Sequence, residues 1–288
     1  MPPDVSNYDP YVSAAAKKSE AINCGCSRLR LDVQESIDEH QKVKKEIRAI
    51  LRGIGQEDAA LKVLPIVRRC IWVLRRLVGR EKRIIKKYLR ENTIIKLHVG
   101  CGGHILGGWL NADWYPLSLS ACHLDATRRF PYADSTFDFV FSEHMIEHVT
   151  YPQGVAMLSE CHRVLKKGGR IRLSTPDLAF MLALSREDRS ETEAEYIEWA
   201  TGSMIQGAPY PHATFVINHF VRSWGHQFIY DEQLLTDALR RAGFSSIVRC
   251  GLNMSAEPAL CGLENEGRMP DGFLRLETMT LEAVKTTA

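Results

Sequence analysis

Ile94-Ile95-Lys96-Leu97-His98-Val99-Gly100-Cys101-Gly102-Gly103 is the stretch that decides the fold. An apolar, β-branched run that stops at a glycine-rich turn predicts a short buried strand whose end lets a ligand approach the backbone, because glycine carries no Cβ and tolerates φ > 0. Working outward, the same texture recurs at Trp109-Leu110-Asn111-Ala112-Asp113, at His123-Leu124-Asp125 and over Phe137 to Ser142. A helical stretch from Gln153 to Leu165 is closed by Lys166-Lys167-Gly168-Gly169, and Arg170 to Ser174 forms another strand that stops at Pro176. Residues 181–228 predict an insertion of mixed helix and loop. A helix over Asp231 to Ala242, a strand over Ser246 to Cys250 and a last strand over Phe273 to Val284 follow. Short strands ending in glycine or an acid and alternating with helices predict an α/β sheet flanked by helices.

The first 92 residues have a different character. Residues 1–26 show no sustained period, and Val33, Ile37, Val43, Ile47 and Ile50 then fall at roughly helical spacing. Residues 61–90 hold eleven Lys or Arg against the single acid Glu81, a net +10 that leaves −8 on the other 258 residues. Apolar positions inside this basic run recur at steps of three and four, which predicts an amphipathic helix. The expectation is an all-helical N-terminal region over 1–92, followed by one α/β domain over 93–288. The cationic face suits a membrane surface or polyanion, or else packs its apolar side on the domain; nucleic acid is the weaker alternative. Composition excludes wholesale disorder, with 45% hydrophobic and 25% charged residues. Without a bilayer-length apolar run or a signal-peptide pattern, the expectation is a cytoplasmic protein whose eight cysteines are reduced. Cys24-Gly25-Cys26 has no second pair to complete a zinc site.

In dinucleotide folds a glycine turn of this kind holds a pyrophosphate, and an acid about 20 residues on binds the ribose. Here the acid, Asp113, comes only about a dozen residues after Gly100, so any intervening helix must be very short. His104 stands where that fingerprint has its third glycine, which disfavours NAD. The ordered series beyond it is more specific: Gly100-Cys101-Gly102-Gly103, Asp113, Asp125-Ala126, Phe130-Pro131-Tyr132-Ala133-Asp134, Glu147-His148-Val149, and Arg163 to Gly169. Over about residues 93–285 this resembles the class I S-adenosylmethionine-dependent methyltransferases, and most of all a bacterial subgroup that opens with GCGG…GWxNxD. The resemblance implies a Rossmann-like sheet and S-adenosylmethionine as cofactor, with S-adenosylhomocysteine as product. It implies that Val99, Gly100, Cys101 and Gly102 meet the methionine part through backbone, and that Asp113 accepts the ribose hydroxyls. It also implies that Asp125 and Ala126 meet the adenine, and that Ser142 and Glu143 lie beside the sulfonium.

His144-Met145-Ile146-Glu147-His148 matches the H-x-x-E-H pattern of some zinc proteases, but it directly follows a strand instead of lying in a long helix. Some methyltransferases that this chain resembles place a metal on an E-x-x-E-H segment here. In this chain His144 replaces the first glutamate, and the sequence reading assigns no metal. A second cluster comprises Asn218-His219-Phe220, Arg222 and Trp224-Gly225-His226. In the family such an insertion builds the acceptor pocket, so His144 and His226 are the candidate general bases on an acceptor hydroxyl. The expected reaction is O-methylation of a small molecule, sugar or glycan. Two other readings stay open: an RNA 2′-O-methyltransferase with a metal site, and a non-catalytic methyltransferase-like binding module.

Overall fold

The computed structural model describes residues 79–286. The chain enters on α1 (Arg80–Glu91) and runs through β1 (Lys96–Val99), β2 (Leu110–Asp113), β3 (Cys122–His123) and β4 (Phe137–Glu143). It continues with α2 (Tyr151–Val164), β5 (Leu165–Pro176), α3 (Leu178–Ala183), α4 (Glu191–Met204), α5 (Ala213–Arg222) and α6 (Glu232–Arg241). It closes with β6 (Ser245–Cys250), α7 (Phe273–Glu277) and β7 (Thr278–Val284). The seven strands form one sheet in the order β3-β2-β1-β4-β5-β7-β6. All neighbours are parallel except β7, which lies antiparallel to both β5 and β6. Leu97, Val140, Ile171 and Leu281, on the four central strands, are at most 1% exposed and anchor one core with Met157 and Leu158 of α2.

The connection from β1 to β2 has no helix at all. Asn111 replaces it: its Oδ1 accepts the Leu106 amide at 3.0 Å, and its Nδ2 donates to the carbonyls of Leu106 at 2.9 Å and Trp109 at 3.1 Å. A buried side chain thus satisfies the loop backbone that a crossover helix would otherwise satisfy. The turn at its head is held onto β2, because the amides of Gly100 and Cys101 both donate to the Ala112 carbonyl.

The other flank is tied by charge. Arg172 of β5 is fully buried and uses all five of its donors. Two go to Glu264, at 2.6 and 3.0 Å, and one to Glu282 of β7 at 2.6 Å. The last two go to the carbonyls of Met254 and Gly251.

The structure differs from the sequence expectations at residues 273–277 and after the glycine turn. Residues 273–277 form one short helix before β7 instead of the start of a strand. Gly272, at φ 84°, precedes this helix, and apolar Phe273, Leu274 and Leu276 suit either period. The insertion is mixed helix and loop, as expected, and its helices α3 to α5 pack into a second cluster around Tyr196, Ile197 and Phe220. The short helix after the glycine turn does not form.

Residues 1–78 lie outside the described part, and with them most of the expected N-terminal helical region and the Cys24-Gly25-Cys26 pair. The end of the basic run is described as α1. Ile84, Ile85 and Tyr88 pack on the core, while Lys82, Arg83, Lys86, Lys87 and Arg90 are exposed. Tyr88 Oη donates to the Lys96 carbonyl at 2.9 Å, and Glu81 accepts the His123 amide at 2.9 Å, so α1 is docked at both ends. Among the described residues no helix is long and apolar enough to cross a membrane.

Candidate active site

The carboxyl ends of β1, β2 and β4 converge, as ligand sites do in open α/β sheets. Gly100 (φ 75°) and Gly102 (φ 51°) both take the left-handed conformation that glycine allows. Their surroundings differ. A Cβ on Gly100 would collide with the Met145 side chain, whereas one on Gly102 would meet nothing within 4 Å. The space above Gly102 is therefore open, and Asp113 stands beside it. Asp113 Oδ2 accepts the Gly102 amide at 2.9 Å and Oδ1 accepts the Tyr115 amide at 2.8 Å. Each oxygen keeps a further lone pair for a hydroxyl. An open glycine cradle next to a presented carboxylate fits the methionine and ribose portions of S-adenosylmethionine.

The other residues implied by the resemblance are placed as follows. Val99 and Ala126 are buried, so only their backbone could meet a ligand. Cys101 is buried too, and burial pushes its thiol pKa up, which keeps it protonated. The Asp125 carboxylate is turned inward on its own loop. Its Oδ1 accepts both the amide and the hydroxyl of Thr127, and its Oδ2 pairs with Arg128 at 2.9 Å. Ser142 is 1% exposed, and its hydroxyl has no partner. Glu143 bridges two loops, meeting His104 at 3.2 Å on one side and the Asn265 amide at 3.0 Å and Arg268 at 3.3 Å on the other. Burial opposes its ionisation, but Arg268 and the His104 hydrogen bond outweigh that and hold its pKa at about 2.

Past the end of β4 the chain turns into a cleft of about 520 Å³. His144, in the left-handed region at φ 46°, points its ring into it. Its Nδ1 lies 3.3 Å from Glu147 Oε1 and its Nε2 lies 2.9 Å from Thr278 Oγ1. Glu147 and His148 follow on a single 3₁₀ turn, Ile146–His148. His226 arrives from the other wall, because the amides of Gln227 and Phe228 both donate to the Glu147 carbonyl, at 2.7 and 3.2 Å. Its Nδ1 is bonded to the Phe220 carbonyl at 2.6 Å, which leaves Nε2 as the nitrogen with the lone pair. Burial lowers the His226 pKa and keeps the ring neutral. Of the second sequence cluster, Phe220, Trp224 and His226 line the cleft, whereas Asn218 and Arg222 are exposed.

Three lining residues carried no sequence signal. Glu277, from α7, accepts the Tyr196 hydroxyl at 2.5 Å, and burial raises its carboxyl pKa despite the neighbouring His144. Trp199 and Arg268 complete that wall. Tyr196 and Glu277 are 81 positions apart, a separation that no local pattern reveals.

Residues 109–173 match the family model of the methyltransferase domain, a span from the start of β2 to within β5. That span is less than a quarter of the chain, and the sheet that contains it has the Rossmann-like seven-strand order of a methyltransferase fold, with β7 antiparallel. S-adenosylmethionine is the cofactor of such a domain. No curated protein matches the sequence. Among solved structures, the chain is similar to phosphoethanolamine N-methyltransferase 2 of Haemonchus contortus in complex with phosphomonomethylethanolamine and S-adenosylhomocysteine, at 13% identity and a TM-score of 0.37. That match covers 73% of this chain, which spans about half (53%) of the nematode protein. It is also similar to a Thermotoga maritima methyltransferase (18% identity, TM-score 0.40, 77% of this chain and 99% of the other). A third is an Archaeoglobus fulgidus methyltransferase (15%, 0.39, 73% and 94%).

Proposed function

We propose that the chain is an S-adenosylmethionine-dependent O-methyltransferase acting on a hydroxyl of a small molecule, sugar or glycan. The observation that carries this reading is the open Gly102–Asp113 cradle sharing its strand ends with a half-enclosed cleft lined by three histidines and two buried carboxylates. When bound, the cofactor supplies a methyl group on a sulfonium, already joined to a good leaving group. The protein's work is then orientation and proton removal. A bond forms between the acceptor oxygen and the methyl carbon as the carbon–sulfur bond breaks, and the hydroxyl proton leaves to the protein. His144 is placed to take it. Glu147, beside Nδ1, favours the tautomer with the proton on that nitrogen, which leaves Nε2 basic where the Thr278 hydroxyl now sits. An acceptor hydroxyl would displace Thr278 or pass its proton along that contact. Trp199, Met204, Trp224 and Met269 supply an apolar wall that excludes water from one side of the cleft. The exposed lysines and arginines of α1 extend the reading to an anionic surface or polyanion partner.

Asp113→Ala tests the cradle. Loss of charge-assisted bonds worth about 1.5–3 kcal/mol each should weaken S-adenosylhomocysteine binding at least tenfold by calorimetry. Because Asp113 also holds two backbone amides, the ligand-free protein should lose about 1–2 kcal/mol as well. Unchanged affinity would remove Asp113 from the site.

A further inference from the structure

Glu147 is 0% exposed, and its two oxygens are treated differently. Thr175 Oγ1 donates to Oε2 at 3.0 Å, whereas Oε1 is buried with no hydrogen-bond partner. His144 Nδ1 lies 3.3 Å from Oε1 but off the line of a hydrogen bond. A buried carboxylate oxygen whose nearest donor is a poorly aligned imidazole nitrogen 3.3 Å away is under-satisfied and suits a cation.

Two imidazoles stand near this carboxylate. One side-chain donor atom each from Glu147, His148 and His226 lies within 4.8 Å of the other two. Bonds of about 2.0–2.2 Å to one tetrahedral ion set ligand atoms about 3.3–3.6 Å apart, so side-chain rotations closing the cluster by about an ångström would complete the site. Both pieces of chain are held in place by the protein alone. The amides of Gln227 and Phe228 bind the Glu147 carbonyl, and the Gln227 side chain donates to the His148 carbonyl at 2.9 Å. Trp224 (φ 55°) and Gly225 (φ 80°) form the tight bend that swings His226 back onto His148, with ring centroids 4.9 Å apart. The bond from His226 Nδ1 to the Phe220 carbonyl orients that ring and frees Nε2, the kind of outer contact that metal-binding histidines use.

We propose that Glu147, His148 and His226 form a binding site for one divalent transition-metal cation, with its open side facing the cleft. Two imidazoles and one carboxylate suit Zn²⁺, Mn²⁺, Fe²⁺ or Co²⁺ better than the all-oxygen sites of Ca²⁺ or Mg²⁺. Three protein ligands leave positions free for an oxygen from a small molecule, as reactive sites do and closed structural sites do not. The cation would present the acceptor oxygen to the methyl group, a role that rests on the proposed O-methylation; the cation site itself does not. From the sequence, the metal alternative falls on His144, Glu147 and His148; His226, 78 positions beyond His148, is not among its ligands.

The test uses the full-length, untagged chain, stripped with a chelator and titrated with Co²⁺, with S-adenosylhomocysteine binding measured on the same samples. One equivalent of Co²⁺ per chain should bind, with visible ligand-field bands and no thiolate charge-transfer band. Glu147→Gln, His148→Ala and His226→Ala should each weaken Co²⁺ at least tenfold, whereas exposed His212→Ala should leave it unchanged. If the buried Glu147→Gln variant fails to fold, the two histidine variants decide the matter, with retained S-adenosylhomocysteine binding as proof of folding. Wild type that binds S-adenosylhomocysteine but no stoichiometric Co²⁺ overturns the site. So does Co²⁺ binding that survives all three substitutions, or that vanishes with Cys24→Ser. Wild type that binds Co²⁺ at these residues but no S-adenosylhomocysteine keeps the metal site and sinks the methyltransferase reading.

Discussion

On the β1–β3 flank the strands are four, four and two residues long, and single polar side chains hold the turns and loops around them. Asn111 closes the first crossover, Asp113 pins the glycine turn and Asp125 folds its own loop through Thr127. On the β5–β7 flank the strands are twelve, six and seven residues long, and Arg172 locks β5 to β7 through Glu282. The first flank gains shape from local polar contacts at the cost of bulk. The second gains rigidity from long ladders and a buried charge cluster. The proposed ligand cradle sits on the lightly built flank, where backbone must come close to a ligand, and the cleft residues come from the segment after β4, from the insertion and from the chain that leads into β7.

Four measurements can break or sharpen that contrast. The largest effect is expected at Arg172. Arg172→Ala leaves Glu264 and Glu282 buried without their partner, and removing one member of such a cluster costs about 3–5 kcal/mol. For a domain of this size that is a fall in Tm of roughly 6–20 °C. A shift within 2 °C would mean that the ladders, not the charges, carry this flank. Asn111→Ala comes next. With three backbone groups losing their partners, about 2–3 kcal/mol should be lost and S-adenosylhomocysteine binding should weaken, both read in one thermal-shift titration. If stability falls while ligand binding is unaffected, the loop and the cradle are independent.

Third comes the pH response of His98. Burial, reinforced by His104, lowers its pKa to about 3 from the free value of 6.5. The unfolded chain therefore takes up a proton below pH 6.5 that the folded chain refuses until about pH 3, so stability falls as pH drops through that window. The slope from one such group is at most about 1.4 kcal/mol per pH unit. Glu143, held at about 2 against an ordinary 4.5, is stabilising above pH 4.5 and adds its own loss only below it. His98→Gln keeps a donor for Asn111 but cannot titrate, and should flatten urea-derived stability between pH 6.5 and 4.5 by about one proton's worth. An unaltered slope would place the acid sensitivity elsewhere. The smallest effect is at the surface: reversing Lys82, Lys86 and Lys87 to Glu should change stability by less than about 0.5 kcal/mol and leave cofactor binding intact, because these side chains are exposed. Liposome or polyanion binding that drops with the same change would locate the docking face on α1.

The same contrast explains what could be read from the residues. Gly100, Gly102 and Asp113 were legible because their interaction is local, one turn and eleven positions. The strand cores were legible because Leu97, Val99 and Val140 sit in apolar runs. The role of Asn111 was not, since nothing in the pattern says that an asparagine stands in for a helix. Arg172, a charge in a strand, looks solvent-facing until Glu264 and Glu282, 92 and 110 positions away, surround it. The cleft was half legible. His144, Glu147 and His148 form one visible segment, but Glu277 and Trp199 reach it only through the packing of α4 and α7.

The missing crossover helix has an electrostatic consequence. In dinucleotide folds the glycine turn opens directly into a helix whose aligned peptide dipoles place about half a positive charge at its N-terminus, and that field holds phosphate. Behind Gly100–Gly103 there is no such helix, and the turn amides of Gly100, Cys101 and Gly102 are spent on Ala112 and Asp113. A carboxylate therefore faces the cradle where an anion site would have offered positive potential. The field rejects pyrophosphate and favours a ligand whose sugar is uncharged and whose sulfur is cationic. ATP and NAD should fail to displace bound S-adenosylhomocysteine even at a thousandfold excess, a selectivity set by charge rather than by shape.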